Sequence, residues 1–489
     1  LKAIIIGSGI AGLASAIRLA KKGYSTEIFE ANSFVGGKLS EFKLGNFRFD
    51  RGPSLFTMPQ LIEELYELCG KNAKEYFSYI KLEESCRYFY DDGKVFKAYN
   101  NEEKLAAEVA QVFKVDAILF TKHLKRSKTM HHYLSKLFME RSLHVAKNYF
   151  NTDTLAAIAN IPQLGLFNIL NDYHSKHIQH PQLVQYFNRF ATYNGSNPYL
   201  APATLHIIPH LEHGIGAFFP EKGMYQITDS LYQLALSIGV KFNFNTPIQN
   251  IIIKDKKAIG VTCANREILG DVIVSNMDVY HTYKKLLPHQ KHPEHILKQE
   301  KSSSALIFYW GINKEFSQLN LHNIFFSNDY KREFEGISGK KEIYDDPTVY
   351  INITSKYNKN DAPVGMENWF VMINVPHNNG QPWEEIVIQC KSNILKKLQS
   401  ILQCDISQHI IEETHWTPQG IEQLTSSYKG ALYGNASNNK MAAFLRHRNK
   451  SKDFKNLYFC GGSVHPGGGI PLCLLSAKIV AELVNEKDY

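Results

Sequence analysis

Cysteine is scarce in this chain. Seven occur in 489 residues, at positions 69, 86, 263, 390, 404, 460 and 473, with no CxxC pair and no metal-ligand spacing. That excludes a disulfide framework and a thiolate zinc module, and it suits a reducing cytoplasm in which the thiols are simply buried. A strong charge of one sign is also missing: 55 basic against 47 acidic residues leave +8. This is too small an excess for a nucleic-acid binder, and it favours contact with an anionic membrane surface. No run of about 18 uninterrupted apolar residues is present, so no spanning helix is expected. Internal repeats, low-complexity tracts, a nucleophile triad and a paired-carboxylate motif are absent too. A hydrophobic content of 44% and an aromatic content of 12% nonetheless belong to a folded protein, one long enough for several structural units.

The first thirty residues allow two readings. Lys2, an apolar run from Ala3 to Ile17 and the small triplet Ala14-Ser15-Ala16 resemble an export signal. The same stretch contains a short β-branched run, Ala3 to Ile6, followed by Gly7-Ser8-Gly9-Ile10-Ala11-Gly12 and small or apolar positions at helical spacing. A second β-type run, Ser25 to Phe29, ends in Glu30, and this decides for a dinucleotide cradle. In it Gly7 permits the turn, Gly9 lets backbone approach a pyrophosphate, Gly12 lets helix and strand pack, and Glu30 faces the adenosine ribose. Two further glycines, Gly36 and Gly37, precede Lys38, and Asp50-Arg51-Gly52-Pro53-Ser54 follows. Two glycines directly after the ribose acid permit a second close backbone approach along an extended ligand, which favours FAD over a nicotinamide cofactor.

At the far end, "FCGGSVHPGGGIPLCLLSAKIVAEL" (Phe459 to Leu483) resembles the C-terminal flavin motif of the carotenoid desaturase family, the phytoene-desaturase type within the flavin amine oxidase superfamily. "YNGSNPYLAPATLHIIPHLEHGIGAFFPEKGM" (Tyr193 to Met224), "NTPIQNIIIKDKKAIGV", "VIVSNMD" and "TPQGIEQLTSSYKGALYG" are similar to its internal blocks, so the resemblance runs in order along nearly the whole chain. It implies an α/β fold with a Rossmann-type FAD-binding domain built from discontinuous segments (1–70, 214–280 and 428–489). A helical substrate- and membrane-associating insertion (71–213) and a mixed-sheet substrate domain (281–427) complete the arrangement. The resemblance adds Ile248, whose backbone would lie against the adenine, and Gly461, Gly462, Gly469, Ile470 and Pro471 to the flavin contacts. The family commonly has arginine where Lys38 stands, so a bidentate contact is lost here while the charge remains.

The activity implied is FAD-dependent desaturation of a long acyclic carotenoid: hydride transfer to the flavin, proton loss and extended conjugation. The reading leans to the 3,4 step of a 1-hydroxycarotenoid, with phytoene desaturation as the alternative and quinone or oxygen as electron acceptor. A flavin-dependent polyene isomerase or saturase is a rival reading. A non-catalytic prenyl-binding escort protein is another, though it would not need the intact phosphate glycines. Glu212, between His210 and His213, is the candidate for proton transfer, set against a surface polar cluster. His206 and His210 have the i, i+4 spacing of metal ligands, but Pro209 interrupts the helix and nothing completes the set, so no metal is expected. Arg51 and His465 are flavin-side candidates, each set against an ordinary structural contact.

A forty-carbon hydrocarbon exposed to water costs on the order of 20 to 30 kcal/mol at about 0.8 kcal/mol per methylene, so the substrate must arrive from a membrane. Between Lys114 and Lys147 eight Lys or Arg face two acids, interleaved with apolar residues, and the apolar stretch at 155–170 follows, too short and broken to span. The expectation is a cytoplasmic protein held peripherally on the membrane by this segment, with a substrate doorway beside it.

Overall fold

The computed structural model describes residues 1–150, 152, 154, 157, 160, 168–439 and 442–484. Its first layer is a parallel five-stranded sheet with the spatial order Leu457–Phe459, Val272–Ser275, Lys2–Ile6, Ser25–Phe29, Lys241–Asn243. The β-branched runs suit such a sheet because it is covered on both faces. Successive side chains point to opposite sides. Ala3 and Ile5 pack with the helices Ile10–Lys21, Tyr225–Ser237 and Ile470–Leu483, whereas Ile4 and Ile6 pack with Ile251, Ala258 and Val261. Those last residues belong to an antiparallel three-stranded unit spanning Ile248–Lys254, Lys257–Cys263 and Arg266–Leu269. Ala14-Ser15-Ala16 is buried in the first helix, where small side chains let helix and sheet approach.

The second layer is a seven-stranded sheet ordered Ile410–Trp416, Ser304–Ile312, Glu367–Val375, Val349–Asn352, His322–Phe325, Glu84–Phe89, Val95–Tyr99. All its pairings are antiparallel except that of His322–Phe325 with Glu84–Phe89. Period-two alternation again assigns the faces. Phe308, Val371 and Ile373 pack against the helix Trp383–Leu402, while Ile307, Phe370 and Met372 face back toward the first layer.

Residues 71–213 are not purely a helical insertion, since their first thirty supply the last two strands of this sheet. The signal is a hairpin, "ESCRYFYDDGKVFKAY": two runs carrying Tyr88, Phe89, Phe96 and Tyr99 flank Asp91-Asp92-Gly93, and Gly93 adopts φ +82°. Helices follow at Glu102–Phe113, Ile118–Ser135, Leu170–His177 and Pro181–Asn188. Most of the apolar stretch at 155–170 lies outside the described residues.

Candidate functional site

One cavity of roughly 690 Å³ runs between the two layers. It opens at the carboxyl ends of the parallel strands, where Ile6, Glu30, Asn276 and Gly461 line it, the usual ligand position in such sheets. Two helices begin on it, at Ile10 and Ile470, so unsatisfied N–H groups and two positive dipole ends converge where an anionic diphosphate fits. A Cβ on Gly9 would come within 2.6 Å of Asn276 Oδ1, and one on Gly12 within 2.2 Å of the Gly7 carbonyl oxygen. Gly9 lines the cavity; Gly12 does not, and its part is to seat the helix on the strand.

The other residues expected at a flavin, Gly7, Ile10, Ala11, Glu30, Gly36, Gly37, Lys38, Gly52, Pro53, Ser54, Ile248, Gly461, Gly462, Gly469, Ile470 and Pro471, all line the same space. The Glu30 carboxylate braces the turn as well as facing the cavity: Oε2 accepts from Ser8 N and Oγ at 2.8 and 2.7 Å, and Oε1 from Asn32 N at 2.9 Å. Gly36 holds φ +103° beside Gly9 and donates its N–H to the Ser8 carbonyl at 3.0 Å. The Lys38 ammonium donates to the carbonyls of Leu432 (3.0 Å) and Ala431 (3.4 Å), tying the Gly36-Gly37 turn to the loop that precedes Gly434. Burial lowers its pKa, against the opposing pull of Asp278.

Beyond the cradle the wall becomes apolar, formed by Ile307, Ile324, Phe370 and Met372 of the seven-stranded sheet. One polar chain crosses it. Ser54 Oγ lies 2.7 Å from the Tyr350 hydroxyl, which lies 2.7 Å from His322 Nδ1, and His322 Nε2 is buried with no partner among the described residues. Burial pulls His322 down to about 4, so its ring is neutral at physiological pH.

Glu212 is neither a surface group nor a cavity group. It is 1% exposed and sits behind Ser85, Arg189 and Tyr193, which do line the space. Its carboxylate accepts from Ser85 Oγ at 2.8 Å, from an Arg189 terminal nitrogen at 3.1 Å and from the Tyr193 hydroxyl. Burial pushes its pKa up, but Arg189 first, then His213 and the two hydroxyls, hold it down at about 2. A carboxylate so stabilised is a poor proton acceptor. Arg51 has its guanidinium over Phe42 (4.8 Å), and His465 Nε2 bonds the Arg141 carbonyl at 2.8 Å; neither lines the cavity.

His206 and His210 are not brought together. His210 packs at a tilt beside His131, with ring centroids 5.0 Å apart, while His206 turns toward His123 and His174. That triple, like Arg189, Tyr193, His322 and Tyr350, escapes sequence reasoning because its members are dispersed and carry no local motif.

In the basic segment, the helix Ile118–Ser135 buries Phe120, His123, Ser127, Met130 and Leu134 and exposes Lys122, Lys125 and Lys128. Its apolar residues therefore mostly cap the core. Ile118 and Leu119, at 52% and 47% exposed, remain on the outer face. Among the described residues no helix is long and apolar enough to cross a membrane.

Comparison with known proteins places these features in context. The model of the flavin-containing amine oxidoreductase family matches residues 10–485. A 1-hydroxycarotenoid 3,4-desaturase of Flavobacterium sp. (strain P99-3) is 53% identical over 483 residues, covering 99% of both chains. A 4,4'-diaponeurosporene oxygenase of Staphylococcus aureus (strain bovine RF122 / ET3-1) is 33% identical over 500 residues, covering 99% of this chain and 98% of that one. Among solved structures, an oxidoreductase from Methanosarcina mazei shares the fold, with a TM-score of 0.64 at 15% identity over 99% of this chain and 100% of its own.

Proposed function

The chain belongs to the flavin-containing amine oxidoreductase family, and from that premise we propose that it is an FAD-dependent desaturase acting on the 3,4 bond of a 1-hydroxylated acyclic carotenoid. The glycine cradle fits the cofactor, because a Cβ at Gly9 would fill the approach beside Asn276 and both helix starts face the same space. Gly7, Gly9, Ile10 and Ala11 would hold the diphosphate with Gly469, Ile470 and Pro471. Glu30 would hold the ribose, Ile248 the adenine, and Gly36, Gly37, Gly52 and Gly461 the remainder. Bound there, the flavin supplies a hydride acceptor for an allylic carbon. The protein contributes a dry, shaped passage and register.

The observation that carries the substrate assignment is the continuity of one cavity from the cradle to the apolar sheet wall, interrupted by the Ser54–Tyr350–His322 chain. In a 1-hydroxycarotenoid the hydroxyl carbon is only two bonds from the carbon that loses hydrogen. A hydroxyl-binding group must therefore lie beside the redox centre, and Ser54 directly follows the cradle residues Gly52 and Pro53. The Ser54–Tyr350–His322 chain, whose three residues line the cavity, gives the substrate hydroxyl a hydrogen-bonding end and sets the register. Arg189 and Glu212 position that end of the wall and take no part in proton transfer.

The exposed lysines of the Ile118–Ser135 helix, with Ile118 and Leu119, hold this face on an anionic membrane from which the hydrocarbon enters. The decisive experiment incubates the FAD-loaded protein in anionic liposomes with a 1-hydroxy acyclic carotenoid, its non-hydroxylated analogue or phytoene, with a quinone and with air as acceptors. A red-shifted absorption spectrum is expected with the hydroxylated substrate. Equal conversion of the analogue, or preferential conversion of phytoene, refutes the assignment.

A further inference from the structure

Away from the cavity, three buried histidines from separate segments meet inside the helical layer. His123 comes from the helix Ile118–Ser135, His174 from Leu170–His177 and His206 from the 3₁₀ turn Ala203–Ile207. All three are 0% exposed, and one ring nitrogen from each lies within 4.8 Å of the other two. None of them lines the cavity.

Hydrogen bonds fix two of the tautomers. His206 Nε2 lies 3.0 Å from the His123 carbonyl oxygen, which can only accept, so Nε2 carries the proton and Nδ1 is bare. His174 Nδ1 lies 2.9 Å from Asn188 Oδ1, and the Asn188 amide donates to Asn171 Oδ1 at 2.8 Å, so Nδ1 carries the proton and Nε2 is bare. The two bare nitrogens face each other at 3.3 Å. Two lone pairs at that separation, out of water, repel unless a cation lies between them. The third ring, His123, has neither nitrogen partnered among the described residues.

A metal ion satisfies these conditions. With Zn–N bonds of about 2.0–2.1 Å, the edge of a tetrahedral site is about 3.3 Å, the spacing of the His174–His206 pair. The shell has the usual form: each of these two rings is oriented through its other nitrogen by a carbonyl or amide oxygen, and Phe187 and Tyr173 pack around the group, at 4.7 and 5.6 Å from the His123 ring centroid. Among the described residues no carboxylate or thiol joins the group, which suits an all-imidazole set with a water as fourth ligand. We propose that His123, His174 and His206 bind a divalent cation of the zinc type, which ties the three helical segments together. The site is independent of the flavin chemistry.

The test uses the full-length, flavin-loaded protein, exposed to zinc, desalted and assayed by elemental analysis, with flavin absorbance reporting the folded state. About one zinc per chain is expected. His174→Gln and His206→Gln should lose it, His210→Gln should keep it, and Asn188→Leu, which removes the oxygen that orients His174 together with the amide's bond to Asn171, should weaken binding at least about tenfold. Cobalt in place of zinc should give visible ligand-field bands of tetrahedral intensity, and a chelator should lower the melting temperature of the wild type but not of His174→Gln. Wild-type protein that carries no more zinc than His174→Gln overturns the proposal. Should the histidine variants lose their flavin, the wild-type stoichiometry and the cobalt spectrum decide, and a cobalt spectrum of the hydrated ion overturns it.

Discussion

Replacing Arg189 with methionine tests whether Glu212 is a structural ion-pair partner or a working base. The substitution keeps an unbranched stem among Phe190 and Tyr88, whose ring centroids lie 4.5 and 5.2 Å from the guanidinium carbon, and removes the charge with its hydrogen bonds to Glu212 and Tyr193. Glu212 is then left 1% exposed with no arginine beside it. Breaking one side of a buried pair costs about 3–5 kcal/mol. The depression of Glu212 from 4.5 to about 2 gives a consistent figure of about 3 kcal/mol, shared among Arg189, His213 and the two hydroxyls. Urea denaturation of Arg189→Met, Glu212→Gln and the double variant closes a cycle. Each single change should destabilise by several kcal/mol, and the double by clearly less than their sum. The depressed carboxyl also sets a pH window: its contribution is complete above about pH 4.5 and is lost as pH falls toward 2, so the wild type should lose stability in acid more steeply than Glu212→Gln. A Glu212→Gln protein as stable as wild type but slowed by about 10²–10⁴ in turnover would falsify the positioning role and restore the base. So would strict additivity in the cycle.

Gly12→Ala should destabilise the chain by about 1–3 kcal/mol and lower the flavin content of the purified protein, because the new Cβ would sit 2.2 Å from a backbone oxygen that cannot move aside. Unchanged flavin absorbance would show that the helix is not seated as described. Burial raises Glu333 to about 7 despite hydrogen bonds from Thr348. Its contribution is therefore full below about pH 4.5 and lost as pH rises through 7, and between pH 5 and 8 the wild type should lose up to about 3 kcal/mol relative to Glu333→Gln. Parallel pH profiles in urea refute this. Reversing Lys122, Lys125 and Lys128 to glutamate should weaken flotation with anionic liposomes by at least about a hundredfold, at about 1 kcal/mol per charge; unaltered flotation places the membrane face elsewhere.

The cofactor cradle was legible because its demands are local. Gly7, Gly9 and Gly12 answer to one turn and one helix start, and a β-branched run on either side suffices to place them. The sheet strands within 304–312, 349–352 and 367–375 were legible from apolar, β-branched runs. The hairpin Glu84–Tyr99 was less so, since it joins a sheet whose other strands lie more than two hundred residues away. Glu212 stood out in the sequence only by its proximity to two histidines, which said nothing of Arg189 and Tyr193, the groups its carboxylate meets in the fold.

Sequence alone thus determined the family, the cofactor and the glycine segments that line the cavity, since backbone conformation and close approach are written in residue type and short spacing. The tertiary structure decided what the charged and polar side chains do. Ser54 meets Tyr350 across 296 positions, His123 meets His206 across 83, and Glu212 is held ionised by a buried guanidinium. Desolvation and partner geometry set the chemistry of such groups, and both exist only once distant segments have packed.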